Sequence, residues 1–430
     1  MKRTYIEGLK SGKVMIKGWV HEMRGLAKLK FLLIRDMSGM IQCVVKGEEL
    51  MKAVDDLSLE SVVEISGEIK EANVKAENAR DDVELVVESI VVLNKAEKLP
   101  IHVNEKTINT DLSKRLDNRF LDTRKPKVGA IFNIRSKMLQ AVTDFYSSKK
   151  FKLINTPKIT TIGLESGAES FEVKYFKDKA VLAQSPQFYK QMFVMGGFER
   201  VFEIGAVYRA EKSNTTRHLT EFTGADFEMG FIEDETEVMD IIEEMFKETL
   251  GVVKKECAFD LEKLNVDLMI PKKIPRVPMS ELKEYLKTKG KKLSEDDDLD
   301  SEAERMIGEY ALEKYGEEFI FVTNYPWEVR PFYHMKPEND PKGTRSFDLL
   351  WRGVEIATGA QREHRVDVLR KQAKEKGMKI PKIYEDIFRY GSIPHGGVGF
   401  GLDRIIQRML NLDNTREAVL LPRDPTRLTP

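Results

Sequence analysis

The sequence has few cysteines, no long apolar run and almost no net charge. Its 430 residues include two cysteines, Cys43 and Cys257, and neither has a second thiol or a histidine at zinc-ligand spacing. This argues against a disulfide framework and a structural zinc site. No segment approaches the ~20 consecutive apolar residues of a membrane span, and the N-terminus lacks the apolar core of a signal peptide. The net charge of −1 selects no class of partner. These absences predict a cytoplasmic protein with no membrane partner, whose charge must be interpreted locally.

The order of short and long elements predicts two domains in an α+β chain. Residues 1–104 contain several short strands at close spacing and one helix-like segment, which is typical of a small Greek-key β-barrel of the OB type. Residues 105–125 form a polar connector, and residues 126–430 contain longer elements that predict an antiparallel sheet flanked by helices. Within this second domain, residues from about 254 to 318 form a charged, helical insertion.

A helix start is also visible within the insertion. Ser301 and Glu304 stand three residues apart at the beginning of a helical segment. This is the spacing of a capping box, in which each side chain bonds the backbone N–H of the other residue. The pattern predicts a helix whose N-cap is Ser301.

The first 35 residues carry a local excess of positive charge. Nine Lys and Arg residues accompany two acids there, a local balance of +7. Such an excess favours one basic barrel face that contacts a nucleic-acid backbone. A solvated surface without that role explains the charges equally well, so both interpretations stay open.

A charged segment, residues 208–222, joins two apolar runs and predicts a β-hairpin. Because alternate residues of a strand share a face, one face of this hairpin should be apolar and the other should combine carboxylates, glycines and an aromatic ring. The residues of the second face are Glu203, Gly205, Val207, Arg209, Phe222, Gly224, Asp226 and Glu228. Two glycines would weaken an ordinary half-solvated sheet. We therefore favour a floor that lets a flat, polar ligand approach the backbone.

The tip of this hairpin carries donors suited to phosphate. Arg209, Arg217 and His218 can donate to phosphate oxygens, and guanidinium groups match them bidentately. Phe222 has the flat ring that a base would stack on. The sequence contains no Walker-type glycine-rich loop. We therefore predict a nucleoside-triphosphate site that does not use a P-loop.

A second predicted hairpin, residues 345–365, contains two acids. If Trp351 and Arg352 form its two-residue turn, Asp348 pairs directly with Glu355 and the carboxylates lie about 5 Å apart. Such like charges destabilise a sheet unless a cation lies between them. Magnesium bound through carboxylates and substrate phosphates fits this arrangement. A different turn register would separate the two acids, and the sequence leaves that alternative open.

A glycine-rich segment, residues 396–401, precedes a helix that begins at about Leu402. Its glycines do not match a dinucleotide-binding fingerprint, and no parallel βαβ unit surrounds them. Arg404 lies in the first turn of the helix, where the dipole disfavours a cation by ~0.3–1 kcal/mol. An anionic ligand would offset this cost, and a salt bridge to Asp403 or Glu417 is the alternative.

Together these segments resemble the class II aminoacyl-tRNA synthetases. The three signature motifs of that class correspond to the helix and strand ending at Pro157, the hairpin with YRAEKSNTTRHLTEF, and the segment GVGFGLDR. More narrowly, the chain is similar over nearly its full length to aspartyl-tRNA synthetases of the archaeal and eukaryotic type. The segments that carry this similarity are QSPQFYKQ, RVFEIG, RHLTEF, VRPFY, GAQREH and LPRDPTRLTP. The resemblance implies an OB-fold anticodon-binding domain, a class II catalytic domain and a homodimer.

The resemblance implies a site for ATP and magnesium. Arg209 and Arg404 would be the catalytic residues, at the α- and γ-phosphates, while Glu211 would bind adenine and Phe222 would stack beneath it. The implied ATP-binding residues are Arg209, Ala210, Glu211, Arg217, His218, Leu219, Phe222, Glu355, Gly401, Leu402, Asp403 and Arg404. The implied magnesium ligands are Asp348, Glu355 and Thr358, and the family more often has serine at the last of these positions.

The resemblance also implies a site for L-aspartate. Lys190 and Arg362 would clamp the side-chain carboxylate, and Glu169 and Gln187 would hold the α-ammonium group. The full implied set is Glu169, Gln187, Lys190, Arg209, Thr358 and Arg362. Such a pocket would penalise asparagine, because a neutral amide leaves a buried charge unpaired. The related asparaginyl enzymes tend to carry an acid near the position of Lys190.

In the barrel, the resemblance implies recognition of the tRNA anticodon. Arg24, Phe31 and Gln42 stand at the family's anticodon-reading positions, where the ring would stack on a base and the polar side chains would read base edges. His21 lies near the position that senses the third anticodon base. A histidine there resembles the non-discriminating subtype that also charges tRNA(Asn). A surface histidine on a strand needs no function, so both interpretations stay open.

The predicted activity is ATP-dependent formation of aspartyl-adenylate and transfer of aspartate to the 3′ end of tRNA(Asp), with tRNA(Asn) as an additional substrate in the non-discriminating alternative. Asparaginyl-tRNA synthetase activity is opposed by Lys190, and a tRNA-independent asparagine synthetase by the barrel in residues 1–104. A non-catalytic relative should have lost Arg209, Arg362 or Arg404, and all three are present.

Overall fold

The computed structural model describes residues 1–26, 29–104, 110–161 and 169–430 of the chain. They form two compact units, Met1–Gly129 and Ala130–Pro430. Residues 105–109 of the predicted connector lie outside the described residues. Among the described helices, none is both long enough and apolar enough to cross a membrane.

The first unit contains a closed five-stranded barrel. Its elements in chain order are β1 (Gly12–Leu26), β2 (Leu29–Arg35), β3 (Met40–Lys46), α1 (Glu48–Asp55), β4 (Val62–Glu71), β5 (Val83–Asn94), α2 (Leu112–Asp117) and α3 (Arg119–Asp122). The strands follow the order β1-β2-β3-β5-β4, and the antiparallel pairing of β1 with β4 closes the barrel. Ile16, Val20, Ile34 and Ile41 are fully buried in its interior. The OB-type barrel predicted from the short strands is confirmed.

Most of the positive charge in the first 35 residues is paired within this unit. Lys28 lies outside the described residues, and six of the other eight Lys and Arg residues lie within 4.0 Å of an acid. The pairs are Arg3–Asp36, Lys13–Glu88, Lys17–Glu64, Arg24–Glu22, Lys30–Asp55 and Arg35–Glu60. Five of these acids come from positions beyond residue 35, so a charge sum over the sequence window overstates the charge of the folded face.

The second unit is built on an eight-stranded sheet. The strands that follow in the chain are β6 (Lys152–Leu153), β7 (Ile159–Thr160), β8 (Glu172–Tyr175), β9 (Asp178–Leu182), β10 (Arg200–Tyr208), β11 (Glu221–Gly230), β12 (Arg276–Pro278), β13 (Phe319–Thr323), β14 (Ser346–Trp351), β15 (Val354–Arg362) and β16 (His395–Gly401). The large sheet has the order β12-β13-β14-β15-β16-β11-β10-β6, and β7-β9-β8 form a small second sheet. In the large sheet only the two edge pairs, β12–β13 and β10–β6, are parallel among the described strands.

Helices flank this sheet. They are α4 (Pro126–Ser148), α5 (Gln187–Phe193), α6 (Glu235–Glu256), α7 (Ala258–Lys263), α8 (Met279–Thr288), α9 (Ser301–Tyr315), α10 (Val366–Glu375), α11 (Lys382–Arg389) and α12 (Leu402–Met409). Met138 of α4, Ile242 of α6 and Ile406 of α12 are buried in the same core as the sheet residues Phe202 and Phe227. The predicted α+β fold, an antiparallel sheet flanked by helices, is confirmed.

The β10–β11 hairpin has the two faces predicted from its alternation. Phe202 pairs with Phe227, and Glu203 pairs with Asp226. The two phenylalanines belong to the core, so the face with the glycines and carboxylates is turned away from it. A period of two residues was sufficient for this prediction because both strands are continuous and regularly paired.

The predicted capping box is wrong. The N-cap of α9 is Asp300, whose carboxylate accepts hydrogen bonds from the backbone N–H groups of Glu302 and Ala303. Asp300 precedes the helix directly and satisfies two of its unpaired donors, so Ser301 becomes the first helical residue. The insertion that contains α9 also contributes β12, which pairs with β13 at the edge of the large sheet.

Candidate active site

A cavity of about 670 Å³ lies against the polar face of the β10–β11 hairpin. The predicted site residues that line it are Gln187, Arg209, Glu211, Arg217, His218, Leu219, Phe222, Glu355, Thr358, Arg362, Gly401, Asp403 and Arg404. The predicted residues of this unit that do not line it are Glu169, Lys190, Ala210, Asp348 and Leu402. Side chains from four distant segments of the sequence therefore meet in one cavity.

Glycines allow close packing beneath the cavity. Gly205 pairs with Gly224 in the hairpin, so no side chain rises from the sheet at this point. On the neighbouring strand β16, a Cβ atom added to Gly397 would overlap the carboxylate of Glu228 and the carbonyl oxygen of Phe227. Only glycine permits this approach between the backbone and a buried acid.

Arg209 and Phe222 form the part of the cavity suited to a flat base. The Arg209 guanidinium carbon lies 5.4 Å from the centroid of the Phe222 ring, a separation typical of a cation–π pair. Arg209 Nη1 lies 3.9 Å from Glu211 Oε1. A planar ligand that stacks on Phe222 would also have a cation and a hydrogen-bond acceptor at its edge.

Arg217 is held by the helical insertion. Its Nη1 donates to Glu304 Oε2 at 2.8 Å, and its Nη2 contacts Ser301 Oγ. Burial, and next the charge of Glu355, raise the pKa of Glu304. Sequence reasoning missed Glu304 as a site residue because Arg217 is 87 positions away, and no pattern links the two.

Arg404 lies at the same end of the cavity with its guanidinium available to a ligand. Its Nη1 donates to the backbone oxygen of Glu355 at 3.2 Å. The alternative salt bridge to Asp403 is wrong, because Asp403 binds Arg135 at 2.5 Å and accepts from the Thr223 N–H at 2.9 Å. Burial lowers the pKa of His218, and the charge of Arg404 lowers it further. The cations at this end suit a polyphosphate.

The predicted pairing of Asp348 with Glu355 is wrong. Asp348 pairs with Thr358, and Glu355 pairs with Leu350. The turn is Arg352–Gly353 rather than Trp351–Arg352, and both of its residues have positive φ, 50° and 67°. Two positive φ values are what a type I′ hairpin turn requires, and glycine supplies one of them without strain. A bulge after Leu349 then shifts the register again.

The residues implied for magnesium nevertheless remain close together. Thr358 Oγ1 donates to Glu355 Oε1 at 3.1 Å, and Asp348 Oδ2 accepts from Arg330 Nη2 at 2.6 Å. Burial raises the pKa of Asp348 to about 6, Glu355 adds to that effect, and Arg330 opposes it. Asp348 Oδ1 is buried and has no hydrogen-bond partner within the described ranges.

This donor set fits magnesium only together with a ligand. Two carboxylates and a hydroxyl are hard oxygen donors, and the orphaned Asp348 Oδ1 is an acceptor that a cation would satisfy. In the part of the chain that the structure covers, no group of three or more His, Cys, Asp or Glu residues could hold a metal ion. Magnesium would therefore need substrate phosphates to complete its coordination.

Lys190 lies beneath the cavity rather than in its wall. Its side chain is 2% exposed, and Nζ contacts Asp226 Oδ2 at 3.0 Å, the Val398 carbonyl oxygen at 2.9 Å and Glu228 Oε2 at 3.5 Å. The long, flexible lysine side chain reaches these buried acceptors from α5. The expected clamp of Lys190 and Arg362 on one carboxylate stays a prediction, and in this structure Lys190 is already surrounded by oxygens.

Arg362 lines the cavity at the C-terminal end of β15, whereas Arg404 contacts Glu355 near the N-terminal end of that strand. Its Nε donates to Glu228 Oε1 at 3.0 Å, and its Nη2 donates to Gln187 Oε1 at 3.1 Å and to the Gly397 carbonyl oxygen at 3.0 Å. Its Nη1 bonds His334 Nε2 at 2.8 Å. His334 and Arg330 are site residues that sequence reasoning missed, although both lie in or next to the quoted segment VRPFY.

The buried charges at this end are balanced. Lys190 and Arg362 contribute two cations, and Asp226 and Glu228 contribute two acids. Burial raises the pKa of Asp226. In Glu228 burial acts in the same direction, but the charges of Arg362 and Lys190 outweigh it and lower the pKa. An anionic ligand group would therefore meet a network whose internal charges already compensate each other.

Glu169 is exposed, and its side chain does not reach the cavity in this structure. Its carboxylate lies 3.3 Å from Lys212 Nζ, and its backbone oxygen accepts from the Ala210 N–H at 2.8 Å. Residues 162–168, which precede it, lie outside the described residues. The role predicted for Glu169 at the α-ammonium group stays a prediction.

In the barrel unit, the three predicted anticodon-reading residues share one sheet surface. Arg24 pairs with Phe31, and Gln42 pairs with Leu33, two positions along the same strand. Arg24 is exposed, and the other two are half-buried. Side chains that alternate in this way point to the same face, so the structure brings together a guanidinium, a ring and an amide.

His21 has a different environment. It is 7% exposed, and its Nδ1 lies 2.8 Å from Arg35 Nη1 and 3.6 Å from Glu60 Oε1. Burial opposes ionisation of Glu60, but His21, Arg35 and Arg124 together lower its pKa to about 2. His21 is thus part of a buried polar cluster, and direct contact with a base would require this cluster to open.

Comparison with known proteins agrees with these two units. The family model for tRNA synthetases class II (D, K and N) matches residues 111–425, and the model for the OB-fold nucleic acid binding domain matches residues 14–93. An aspartate–tRNA(Asp/Asn) ligase of Aeropyrum pernix is 45% identical over 434 residues, covering 99% of this chain and 97% of the relative. An aspartate–tRNA(Asp) ligase of Thermococcus kodakarensis is 45% identical over 432 residues, covering 99% and 98%.

Solved structures show the same architecture. The asparaginyl-tRNA synthetase from Pyrococcus horikoshii complexed with asparaginyl-adenylate has a TM-score of 0.93 at 32% identity and covers 100% of both chains. The aspartyl tRNA synthetase from Entamoeba histolytica has a TM-score of 0.90 at 34% identity and covers 100% of this chain and 93% of that one. Backbone similarity therefore does not separate aspartyl from asparaginyl enzymes.

The OB-type barrel, the antiparallel sheet and the cavity on its glycine-containing face define a class II tRNA synthetase. Within that class, the sequence identity over nearly the whole chain shows that the protein belongs to the family of aspartate–tRNA ligases. The predicted membership of the class II aminoacyl-tRNA synthetases, and of the aspartyl-tRNA synthetase family within them, is confirmed.

Proposed function

We propose that the protein activates L-aspartate with ATP and transfers it to the 3′ end of tRNA(Asp). The observation that carries this proposal is a single cavity lined by Arg209, Arg217 and Arg404 and also by Arg362. The first three suit a nucleoside triphosphate, and the last suits a carboxylate. One cavity can thus hold both substrates of the first reaction in contact.

The first step is an in-line displacement. The α-carboxylate oxygen of aspartate attacks the α-phosphorus of ATP, the bond to the bridging oxygen breaks, and pyrophosphate leaves with the electron pair. Arg209 binds the α-phosphate and Arg404 the γ-phosphate, so both stabilise the charge that develops. Magnesium, when bound by Asp348, Glu355 and Thr358, supplies additional charge stabilisation on the phosphates.

The second step transfers the aspartyl group to RNA. A hydroxyl of the terminal ribose of the tRNA attacks the carbonyl carbon of aspartyl-adenylate, AMP leaves with the bonding electrons, and the hydroxyl proton passes to the departing phosphate or to solvent. No side-chain nucleophile is required. The protein contributes positioning and electrostatic stabilisation, which are the main sources of catalysis in such reactions.

Discrimination against asparagine follows from the chemistry of Arg362. A guanidinium only donates hydrogen bonds, so a carboxylate can accept from it in either orientation. An ionised carboxylate accepts a stronger, charge-assisted hydrogen bond from a guanidinium than the neutral amide oxygen of asparagine does. The NH2 group of that amide is a donor and cannot bind the guanidinium at all. This supports aspartate over asparagine and opposes the asparaginyl and asparagine-synthetase alternatives.

A second candidate is that the protein also charges tRNA(Asn). The Aeropyrum pernix relative, named for both tRNAs, is as similar in sequence as the Thermococcus kodakarensis relative, which is named for tRNA(Asp) alone. His21 supports the broader activity by resemblance, whereas its burial opposes direct contact with a base. The family resemblance further supports a homodimer located in the cytoplasm.

Aminoacylation of separate tRNA transcripts tests both candidates. With labelled aspartate, the proposal predicts charging of a tRNA(Asp) transcript. Charging of a tRNA(Asn) transcript as well supports the second candidate, and its absence refutes that candidate alone. Failure to charge either transcript, in a preparation that forms no aspartyl-adenylate, contradicts the proposed function.

A further inference from the structure

His334 occupies a position that the proposed chemistry does not explain. It is buried, with 1% of its surface exposed, and it lies at the wall of the cavity next to Arg362. Its Nε2 is 2.8 Å from Arg362 Nη1. The other acceptors around Arg362 belong to the sheet and to α5, whereas His334 comes from the segment that follows β13.

Each hydrogen bond of Arg362 can be assigned to one N–H group of its guanidinium side chain. A guanidinium side chain has five N–H donors, one on Nε and two on each Nη atom. Nε donates to Glu228, and Nη2 donates to Gln187 and Gly397. Nη1 donates to His334. Four of the five donors therefore have acceptors among the described residues, and the donor that remains is the second N–H of Nη1.

The bond between Arg362 and His334 also fixes the protonation of the imidazole. Because Arg362 can only donate, Nε2 must accept, and the proton of the neutral ring lies on Nδ1. Burial, followed by the charges of Arg362, Arg330 and Lys190, holds the pKa of His334 well below its ordinary value. The ring is therefore a neutral acceptor within a group of cations, a role that lysine or arginine could not fill at this position.

We propose that His334 is a positioning residue that selects how Arg362 presents itself to aspartate. By accepting one N–H of Nη1, His334 aims the other at the cavity, so that the ligand carboxylate receives a single directed hydrogen bond from Arg362. His334 itself does not touch the substrate. This inference rests on the proposed function, because it assumes that Arg362 binds the aspartate side chain.

The alternative is that His334 only fills space. A packing role predicts that any side chain of similar volume serves equally well. A positioning role predicts that an acceptor must stand at the place of Nε2. His334→Gln keeps an acceptor there, since the side-chain amide oxygen of glutamine reaches about as far as Nε2. His334→Phe keeps the ring volume and removes the acceptor, which leaves an N–H of Arg362 buried and unpaired.

Aspartate-dependent ATP–pyrophosphate exchange separates the two roles. We expect His334→Phe to raise KM for aspartate by about ten-fold, the factor that corresponds to losing one well-placed polar contact. KM for ATP should stay within about two-fold, because the arginines at the phosphate end do not contact His334. His334→Gln should stay within about three-fold of the wild type in both constants. His364→Gln, a half-buried histidine outside the cavity lining, is the matched control and should change neither constant.

The outcomes distinguish this inference from the proposed function. Equal KM values for aspartate in the wild type and His334→Phe overturn the positioning role, while Arg362→Ala would still abolish activation if the proposed function holds. A wild-type protein that gives no exchange with aspartate refutes the proposed function itself. If His334→Phe does not fold, His334→Asn replaces it. The asparagine side chain is too short to place an acceptor at Nε2, so a KM for aspartate as low as that of His334→Gln overturns the inference.

Discussion

Replacing Glu228 with glutamine should both destabilise the catalytic unit and impair aspartate activation. Glu228 is completely buried, accepts from Arg362 Nε at 3.0 Å and lies 3.5 Å from Lys190 Nζ. The substitution leaves the two cations with Asp226 as their one remaining acid in this group of four. Removing one partner of a buried ion pair costs roughly 3–5 kcal/mol, because an uncompensated charge stays in a medium of low polarity.

The expected loss of stability is large enough to be measured by thermal unfolding. In a unit of about 300 residues, 1 kcal/mol corresponds to roughly 1.6 °C in Tm, so Glu228→Gln should lower Tm by roughly 5–8 °C. Glu256→Gln is the matched control, since Glu256 forms a 2.8 Å pair with Lys137 in the same unit but is 49% exposed. The Glu256→Gln variant should leave Tm unchanged, because solvent already screens the charges of Lys137 and Glu256.

Activity provides the second measurement. Glu228→Gln removes the charged acceptor that orients Arg362 Nε, so KM for aspartate in pyrophosphate exchange should rise more than KM for ATP. A variant with wild-type Tm would refute the charge-balance argument for the four buried groups. If the variant is destabilised but its KM for aspartate is unchanged, the four buried charges stabilise the fold without influencing how aspartate binds.

Further predictions concern both units. Arg209→Ala should reduce ATP–pyrophosphate exchange almost to zero, and exchange near the wild-type rate would contradict its place at the α-phosphate. Gly397→Ala should abolish aspartate activation, because the added Cβ atom would overlap the Glu228 carboxylate. A folded Gly397→Ala protein with wild-type ATP–pyrophosphate exchange would disprove this prediction. Asp348→Asn should weaken binding of magnesium in the presence of ATP, measured by calorimetry, and unchanged affinity would remove Asp348 from the ligand set. Glu60, whose pKa is lowered to about 2, stabilises the barrel at pH values above its unfolded pKa of ~4.3, by about 3 kcal/mol, and this contribution is lost as pH falls towards 2. Glu60→Gln should therefore reduce hydrogen-exchange protection of β1 and β2 at pH 7, and the difference from the wild type should shrink at lower pH; a constant difference would refute the assignment.

The features that sequence reasoning predicted correctly depend on short-range regularity. The faces of the β10–β11 hairpin follow from strict alternation, and its register places Glu203 opposite Asp226. The short strands of the barrel and the long amphipathic α4 are similarly local patterns. Such patterns determine which side chains face a core because the geometry of a strand or helix repeats along the chain.

The errors arise where several local solutions compete. The β14–β15 turn could be placed at Trp351–Arg352 or one residue later, and the backbone selects Arg352–Gly353 because glycine accepts positive φ. The bulge after Leu349 changes the register again without a sequence signal. The capping-box spacing predicts Ser301 as the N-cap of α9, but Asp300, one residue earlier, caps the helix instead.

Contacts between segments that are distant in the sequence could not be predicted, because no sequence pattern indicates them. Glu304 binds Arg217 across 87 positions, and His334 binds Arg362 across 28. Lys190 was expected in the cavity wall, yet three oxygen atoms of β11 and β16 surround it beneath the floor. Tertiary packing decides these positions, because the residues are polar and several local conformations would satisfy each of them.

The central claim is that this cavity activates aspartate. The most direct test is ATP–pyrophosphate exchange by the wild-type protein with aspartate or asparagine as the amino acid. The account predicts exchange with aspartate and a kcat/KM for asparagine lower by at least about ten-fold, because an ionised carboxylate accepts a stronger hydrogen bond from Arg362 than a neutral amide oxygen does. Exchange that is equal for the two amino acids, or that proceeds only with asparagine, would contradict it.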